Sequence, residues 1–291
     1  SYIGALLPVP YIRGPGGGAH RTPRSLQGEY KLGGRIWERI RSFGQWLFRH
    51  DPFFVIGQGR ALAILVCNND SAAKMPKQWT YKTHLFPVSG VSCGELPVPI
   101  SVSDDNKVFQ ILSVGSLIRV KGFGLAIKAF RQFSFTYPNT QLTIIGNGPE
   151  LANLRKMIDQ TGLVGKVEIW PALPHDQLMD VMTACDVLLF PSMRDGGGTV
   201  VVEAMSLGKP VVCLDIAGPG MHINDQCGIK VSPGSSDATV DKLAEGLSRL
   251  YNDNSLRQRL GMYGRKRAEE HYEWDKLGER LLKIYDGVNL S

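Results

Sequence analysis

The 291-residue sequence lacks several features that would set it apart from ordinary globular proteins. It has no run of 18 consecutive apolar residues, which disfavours a membrane-spanning helix, and no secretory leader pattern at its start. The chain begins without an initiator Met, so we expect upstream sequence to be missing. Its cysteines are few and contain no Cys-x-x-Cys pair, which disfavours disulfide and metal chemistry and indicates a reducing compartment. They are Cys67, Cys93, Cys185, Cys213 and Cys227.

Acidic residues are scarce in the first 60 positions. This segment holds nine Lys and Arg against three Asp and Glu, and so carries the whole net charge of +6. Such a basic field suits an anionic partner: a phosphate, an anionic lipid surface or a nucleic acid. We recognise no nucleic-acid-binding module, so we expect no nucleic acid partner.

Residues 34–49 show the apolar spacing of one helix face, with arginines on the remaining surface. Two interpretations stay open. The segment is either an ordinary amphipathic helix packed on its domain, or an interfacial helix on anionic lipid with Trp37 and Trp46 at headgroup depth. The apolar positions are Ile36, Ile40, Phe43 and Leu47, and the basic ones are Arg35, Arg39, Arg41 and Arg49.

The pattern changes along the chain and predicts two domains, at 1–100 and 101–291, joined by a linker at 94–107. The first contains a buried strand at Ala61–Cys67 and a glycine-rich loop at Gly14–Gly18. The second alternates strands and helices, which predicts a parallel sheet covered by helices on both faces. Its predicted strands are Val108–Val114, Gln141–Ile145, Val167–Ile169, Val187–Phe190 and Pro210–Leu214. Its predicted helices are Gly122–Phe135, Pro149–Thr161, Asp176–Ala184, Thr199–Leu207, 237–252, 255–271 and 274–286.

Ligands of such sheets bind at the carboxyl ends of the strands. There the run from Phe190 leads through Asp195 into three glycines and a helix opened by Thr199, with Glu203 one turn in. Glycines let the backbone approach a ligand, and free amides at a helix start favour an anion. Two acids flanking such a cradle suit a ligand with hydroxyls at both ends. The alternative is a glycine-rich turn with an acid that complements the helix dipole.

Lys121 stands in another loop of this kind, after the strand that ends at Gly115. It can reach a diphosphate as a point charge, although a lysine there is more often a solvated surface residue. The turn Gly146-Asn-Gly148-Pro149 is compatible with simple turn geometry.

In this order these residues resemble retaining glycosyltransferase family 4, which has the two-domain GT-B fold. The match includes Asp195-x7-Glu203-Ala-Met-Ser-Leu-Gly-Lys-Pro-Val, the Val-Gly-x-Leu-x-x-x-Lys-Gly stretch at 114–122, and Cys185-Asp-Val-Leu-Leu-Phe-Pro-Ser192. It covers roughly residues 107–287. The resemblance implies an α/β protein of GT-B type: a Rossmann-like C-terminal donor domain with a parallel sheet, plus a partial N-terminal α/β domain on the acceptor side.

The resemblance also implies residue roles. Glu203 would bind the nucleotide ribose, Asp195 the donor sugar, Lys121 the diphosphate, and Leu173 would pack on the nucleobase. Gly197, Gly198, Thr199 and Val200 would supply backbone donors. Lys121 and Asp195 are the catalytic candidates, and no metal or cofactor is implied beyond a nucleotide-sugar substrate such as a UDP- or GDP-sugar.

Three departures from the family pattern bear on this assignment. Ser116 stands where the family has Arg, which removes one diphosphate cation, and Arg119 is a candidate to replace it. Asp195 is one methylene shorter than the usual Glu. The N-terminal domain, at about 100 residues, is also shorter than the family's. On the acceptor side Gly17, Gly18 and His20 resemble a glycine-rich family loop, although a solvated loop histidine is the favoured interpretation of His20.

We therefore expect a metal-independent retaining hexosyltransferase acting on a glycan or lipid-linked acceptor. The expected location is cytoplasmic, with peripheral contact to the inner face of a membrane as an option. A non-catalytic nucleotide-sugar binding protein and a nucleotide-sugar epimerase remain alternatives. A dinucleotide oxidoreductase is disfavoured because no strand–GxGxxG–helix unit with a ribose acid is present.

Overall fold

A computed structural model describes residue 6 and residues 9–17, 20–30, 32–95 and 108–289. Gly18, the first residues of the chain and positions 96–107 of the predicted linker lie outside the described residues. The strands are β1 (Ile12–Gly16), β2 (Ala63–Val66), β3 (Thr83–Leu85), β4 (Phe109–Val114), β5 (Thr140–Ile145), β6 (Val167–Trp170), β7 (Val187–Phe190), β8 (Val211–Leu214) and β9 (Gly228–Val231). The α-helices are α1 (Leu32–His50), α2 (Pro52–Arg60), α3 (Asn69–Ala72), α4 (Phe123–Thr136), α5 (Leu151–Thr161), α6 (His175–Ala184), α7 (Thr199–Ser206), α8 (Ala217–His222), α9 (Ser236–Asn252), α10 (Asn254–His271) and α11 (Trp274–Asn289).

The larger sheet has six parallel strands in the order β6-β5-β4-β7-β8-β9. The chain enters at β4 in the middle, adds β5 and β6 on one side, and then crosses to add β7, β8 and β9 on the other. This is a doubly wound sheet whose direction of winding reverses between β4 and β7. The predicted parallel sheet is confirmed.

Two hydrophobic layers cover this sheet. Because side chains alternate along a strand, Ile111 belongs to the layer with α4, α5 and α9, whereas Leu112 belongs to the layer with α6, α7 and the end of α10. Phe130 and Phe133 of α4 are 0% and 1% exposed, so the first layer is closed to water. The strands read as continuous apolar runs because both faces are buried.

The smaller sheet, β1-β2-β3, is also parallel. It corrects the loop predicted at Gly14–Gly18, because Gly14 and Gly16 lie in β1. A side chain at Gly14 could not be accommodated: its φ is +112°, and a Cβ there would lie 2.3 Å from the Leu65 carbonyl oxygen. The glycines therefore permit a close approach between two strands, and they are not the sign of a loop.

The last helix returns to this smaller sheet. Leu277 of α11 is buried with Leu65 and Phe86, and Arg280 donates to the Leu85 carbonyl oxygen. Trp274 lies over Gly90, where an added Cβ would come within 2.7 Å of the indole ring. The segment 86–93 is thus held by the end of the chain.

Helix α1 confirms the helix predicted at 34–49, but its apolar face is not packed on the rest of the chain. Trp37 is 66% exposed and Phe43 61% exposed, and the other apolar positions of that face are about half exposed. The interpretation of a helix packed on its domain through this face is therefore wrong. Among the described residues, none of the helices has the length and hydrophobicity that crossing a bilayer requires.

Candidate functional site

Lys121 and Asp195 meet at the carboxyl edge of the larger sheet. Lys121 follows β4 and Asp195 follows β7, the two neighbouring strands between which the winding reverses, and ligands of such sheets bind at this position. The Lys121 Nζ lies 2.5 Å from the Asp195 Oδ2, with both side chains largely buried. The Nζ also lies 5.6 Å from the centre of the Phe190 ring.

The other carboxylate oxygen of Asp195 accepts from two backbone amides. Gly197 N donates at 3.2 Å and Gly198 N at 2.8 Å, both to Oδ1. Gly198 has φ of +63° and directly precedes α7. One ammonium and two amides of a helix start thus converge on a single carboxylate, which is the chemistry of an anion site. The Asp195 side chain, which the resemblance assigns to the donor sugar, therefore occupies the ammonium and amide groups that would otherwise bind the phosphates of the nucleotide sugar.

Glu203 lies one turn into α7, where the sequence places it, with its side chain only 13% exposed. Its Oε1 is 3.8 Å from the Nδ1 of His175, an exposed residue at the start of α6. Burial raises the pKa of the Glu203 carboxyl, and His175 opposes that rise. A largely buried carboxylate with few internal partners among the described residues is suited to accepting hydroxyl hydrogen bonds.

The remaining donor-side candidates surround this edge. Leu173 and Val200 are half-buried against the layer of α6 and α7. Thr199 and Ser116 are exposed, and the Thr199 hydroxyl lies 2.8 Å from that of Ser89. Arg119 does not replace the missing arginine: it donates two hydrogen bonds to Glu150 and one to the Glu29 carbonyl oxygen, so its guanidinium is already engaged.

Of the acceptor-side candidates, His20 lies beside the loop of residues 191–198 between β7 and α7, which we call the donor loop. A Cβ at Gly17 would lie 2.8 Å from the Cys67 sulfur, and one at Gly196 would lie 2.9 Å from the His20 ring. The interpretation of His20 as a solvated loop residue is wrong, because its Nδ1 is buried and has no hydrogen-bond partner among the residues that the structure describes. Burial is the main cause that lowers the pKa of His20, and the positive charges of Arg194 and Arg41 lower it further. The structure thus places His20 at the donor loop and Gly17 beside Cys67, the residue before Asn68.

Three further residues hold this loop and escaped the sequence analysis. Asn68 donates to the Gly196 carbonyl oxygen at 3.0 Å. Ser89 donates to the Gly197 carbonyl oxygen at 3.1 Å, and His222 Nε2 lies 2.5 Å from the same oxygen. Asn68 could have been found, since it directly follows a buried strand. His222 carries no sequence signal of this kind.

Metal binding has no candidate set within the part of the chain that the structure describes. There, no three His, Cys, Asp or Glu side chains lie together in a way that could hold a metal ion. Metal independence stays a prediction.

Solved structures place this architecture in the GT-B class of glycosyltransferase folds. The Anabaena protein HepE in complex with UDP superposes with a TM-score of 0.71 at 18% identity, covering 98% of this chain and 76% of its own. The C-terminal domain of a glycosyl transferase group 1 family protein from Francisella tularensis superposes with a TM-score of 0.55 at 22% identity. That match covers 64% of this chain and all of the domain. At these identities the likeness establishes the fold.

The family follows from the sequence of the second half. The model of the glycosyl transferases group 1 matches residues 101–267, more than half of the chain, and the protein belongs to that family. A GDP-mannose-dependent monoacylated alpha-(1-6)-phosphatidylinositol monomannoside mannosyltransferase from Corynebacterium glutamicum is 31% identical over 58% of this chain and 44% of its own. The phosphatidylinositol N-acetylglucosaminyltransferase gpi3 subunit of Schizosaccharomyces pombe is 28% identical over 66% of this chain and 41% of its own. The chain spans less than half the length of these two relatives.

Proposed function

We propose that this chain binds a nucleoside diphosphate sugar at the carboxyl edge of the larger sheet and belongs to a retaining, metal-independent glycosyltransferase of family 4. The observation that carries this proposal is the convergence of Lys121 and the amides of Gly197 and Gly198 on one carboxylate. The same groups would hold a phosphate oxygen of the donor, with Glu203 one turn away to accept ribose hydroxyls.

The charges at this site account for the proposed independence from metal. A diphosphate brings negative charge, and Lys121 together with the amide dipoles of a helix start supplies the opposing field. In the transfer step the bond from the anomeric carbon of the sugar to the β-phosphate oxygen would break, a bond from that carbon to the oxygen of an acceptor hydroxyl would form, and the hydroxyl proton would pass to the departing diphosphate. The same cation and amides would stabilise the charge that develops on the departing diphosphate. Lys121 and Asp195 are therefore the proposed catalytic residues.

Donor and acceptor classes follow from the relatives. The mannosyltransferase relative is GDP-mannose-dependent by name, and the solved structure of HepE contains UDP. A GDP- or UDP-sugar is therefore the proposed donor. The two relatives described above are among many, and both are named for phosphatidylinositol-based acceptors, which favours a lipid-linked acceptor or a glycan built on one. Such an acceptor would hold the protein at the cytoplasmic face of an anionic membrane, against its basic first 60 residues.

The proposed division into an acceptor-side part, 1–100, and a donor-binding domain, 101–291, follows the two sheets. The larger sheet spans residues 109–231 and the smaller one residues 12–85. Helix α11 nevertheless packs on the smaller sheet, so the donor half ends by crossing to the other. The relatives named above are transferases, and the epimerase alternative is not favoured.

A thermal-shift panel tests the proposed function. A ligand that binds only the native state raises its stability, so we expect one of UDP-, GDP- and ADP-glucose or the matching mannose donors to raise the melting temperature. The same panel with nucleoside monophosphates is the control. Failure of every nucleoside diphosphate sugar to stabilise the folded chain would contradict the proposal.

A further inference from the structure

The two amides that hold Asp195 are aimed by hydrogen bonds made on the other side of their peptide planes. A trans peptide is planar, so its carbonyl oxygen and the next residue's N–H point in opposite directions. Fixing the Gly196 oxygen therefore fixes the Gly197 N–H, and fixing the Gly197 oxygen fixes the Gly198 N–H. Glycines leave these planes otherwise free to turn, so the direction of the amides depends on what holds the oxygens.

His222 makes the principal hydrogen bond that fixes the second plane, the peptide between Gly197 and Gly198. It is 0% exposed, and its Nε2 lies 2.5 Å from the Gly197 oxygen. A carbonyl oxygen only accepts, so Nε2 carries the hydrogen. Burial lowers the pKa of His222 to about 4, so the ring is neutral and its Nδ1 is an acceptor. Tyr272 OH, 2.9 Å away, donates to that nitrogen and so selects the tautomer that can hold Gly197.

The imidazole is itself held in place. Tyr272 packs edge-on against it, with ring centres 4.9 Å apart, and Arg267 donates to the His222 carbonyl oxygen at 2.8 Å. Beneath the loop the backbone of Gly218 is so close that a Cβ would lie 2.8 Å from the Gly196 oxygen. The donor loop is thus packed against His222 and Gly218, both of the donor half.

Two holders come from the other half of the chain. Asn68 is fully buried and fixes the first plane through the Gly196 oxygen, while its own Oδ1 accepts from Ser71 N at 2.9 Å. Ser89 gives its single hydroxyl proton to the Gly197 oxygen, so the Thr199 hydroxyl donates in turn to Ser89. Val91, two residues after Ser89, forms backbone hydrogen bonds with Tyr272 and Trp274. These bonds fix the segment that places Ser89 against the donor loop.

We propose that Asn68, Ser89 and His222 are positioning residues that aim the Gly197 and Gly198 amides at one anion, and that Tyr272 sets the tautomer His222 needs. The nature of that anion, the donor diphosphate, rests on the function proposed above. In the ligand-free chain the Asp195 carboxylate occupies the position proposed for this anion. Asn68 and Ser89 belong to the first 95 residues. The Gly197 and Gly198 amides are therefore fully oriented only when the acceptor-side part packs against the donor loop.

Amide exchange measured by NMR on the full chain tests this directly, and it needs no ligand. We expect His222→Phe and Tyr272→Phe to speed exchange of the Gly198 amide about tenfold, the loss of roughly one hydrogen bond. Asn68→Ala should act instead on the Gly197 amide. His222→Gln keeps a donor for the Gly197 oxygen and should restore protection.

Tyr137→Phe is the matched control. It removes a tyrosine hydroxyl bonded to Asn252 at the far end of α4 and should leave both glycine amides unchanged. Wild-type exchange at Gly198 in His222→Phe and Tyr272→Phe would overturn the proposal. So would a uniform loss of protection across β4 and β7, because that would indicate global destabilisation only.

The affinity for UDP or GDP separates this inference from the proposed function. We expect the preferred nucleotide to bind about tenfold more weakly to His222→Phe and near normally to His222→Gln. If the wild-type chain bound neither nucleotide, the proposed function would fail, whereas the exchange pattern would still decide whether the three residues aim the amides.

Discussion

At the scale of single residues, the length of the Asp195 side chain decides its contacts. An aspartate in a loop can accept from the amides two and three residues ahead of it, as in an Asx-turn. Asp195 does so while it also pairs with Lys121. A glutamate at this position would reach further into the site. The family's sugar contact is therefore expected to be weakened in this chain or replaced by a water-mediated one.

Ser116 gives a prediction at the same scale. Because Arg119 is bound to Glu150, it does not take the place of the family arginine. Ser116→Arg should tighten UDP or GDP binding about two- to fivefold, the range for an exposed charge pair, and the gain should shrink as salt rises. Titration at low and high salt checks this, with Ser116→Gln as the uncharged control. An equal gain in both variants would rule out a charge effect.

The catalytic candidates were predictable from sequence because each lies in the loop that follows a buried strand. Lys121 and Asp195 lie at the ends of β4 and β7, and the rule for parallel sheets brings such ends together. Asn68 follows a buried strand as well and was missed, whereas His222 was not found because its contacts depend on the packing of segments far apart in the chain. Hydrogen bonds of this kind have no local pattern.

At the scale of elements, α1 combines an exposed apolar face with one buried acid. Glu38 is 5% exposed and binds both Arg41 and Arg194. Those two arginines and the Glu38 hydrogen bonds act against burial and hold the pKa of Glu38 below its usual range. Arg194 immediately precedes Asp195, so the helix is tied to the donor loop by its polar side, and Arg41 is a structural residue.

The exposed side of α1 is expected to contact anionic lipid. Vesicles of phosphatidylcholine and phosphatidylglycerol should bind the full chain in a sedimentation assay, and binding should fall with salt. Arg35→Gln combined with Arg39→Gln should cost about 2 kcal/mol, since each arginine near such a surface contributes about 1 kcal/mol. Nucleotide affinity should not change.

Lys242→Gln combined with Arg249→Gln removes the same charge from exposed positions of α9 and is the control. Protein that stays in the supernatant at low salt would contradict the membrane contact. A loss of binding equal to that of the control pair would show that net charge alone matters.

Most elements of the second half were predictable because their strands are continuous apolar runs separated by amphipathic helices, whereas β9 and α8 were not predicted. β1 was predicted as a loop because Gly14, Pro15 and Gly16 are turn residues in most settings. Here the glycines serve the close approach of two strands. The exposed face of α1 was equally beyond prediction, since the same spacing describes a packed helix and an unpacked one.

At the scale of the whole molecule, the two sheets are joined at the donor loop and again through α11. His222 lies at the first of these junctions and makes folding depend on pH. Its pKa is lowered from 6.5 to about 4 in the folded chain, chiefly by burial, so below pH 6.5 the unfolded chain binds a proton that the folded chain does not. Its contribution is complete above that pH and is lost as the pH falls towards 4.

The loss from this one group should reach about 3 kcal/mol of unfolding free energy at pH 4. Urea unfolding between pH 7 and pH 4.5 measures it, and His222→Gln, which cannot titrate, is the comparison. The wild-type curve should fall more steeply than the variant's. Parallel curves would mean that His222 is charged in the native state or accessible to water.

The central claim is that a nucleoside diphosphate binds beside Glu203 without a metal, and calorimetric titration of the full chain in EDTA tests it most directly. We expect UDP or GDP to bind the wild type in EDTA and to bind Glu203→Ala about 1.5–3 kcal/mol more weakly, the value of a charged hydrogen bond. Asp180→Ala, at an exposed position of α6, should bind like the wild type. Unchanged affinity in a folded Glu203→Ala variant, or binding only after Mg²⁺ or Mn²⁺ is restored, would contradict the account.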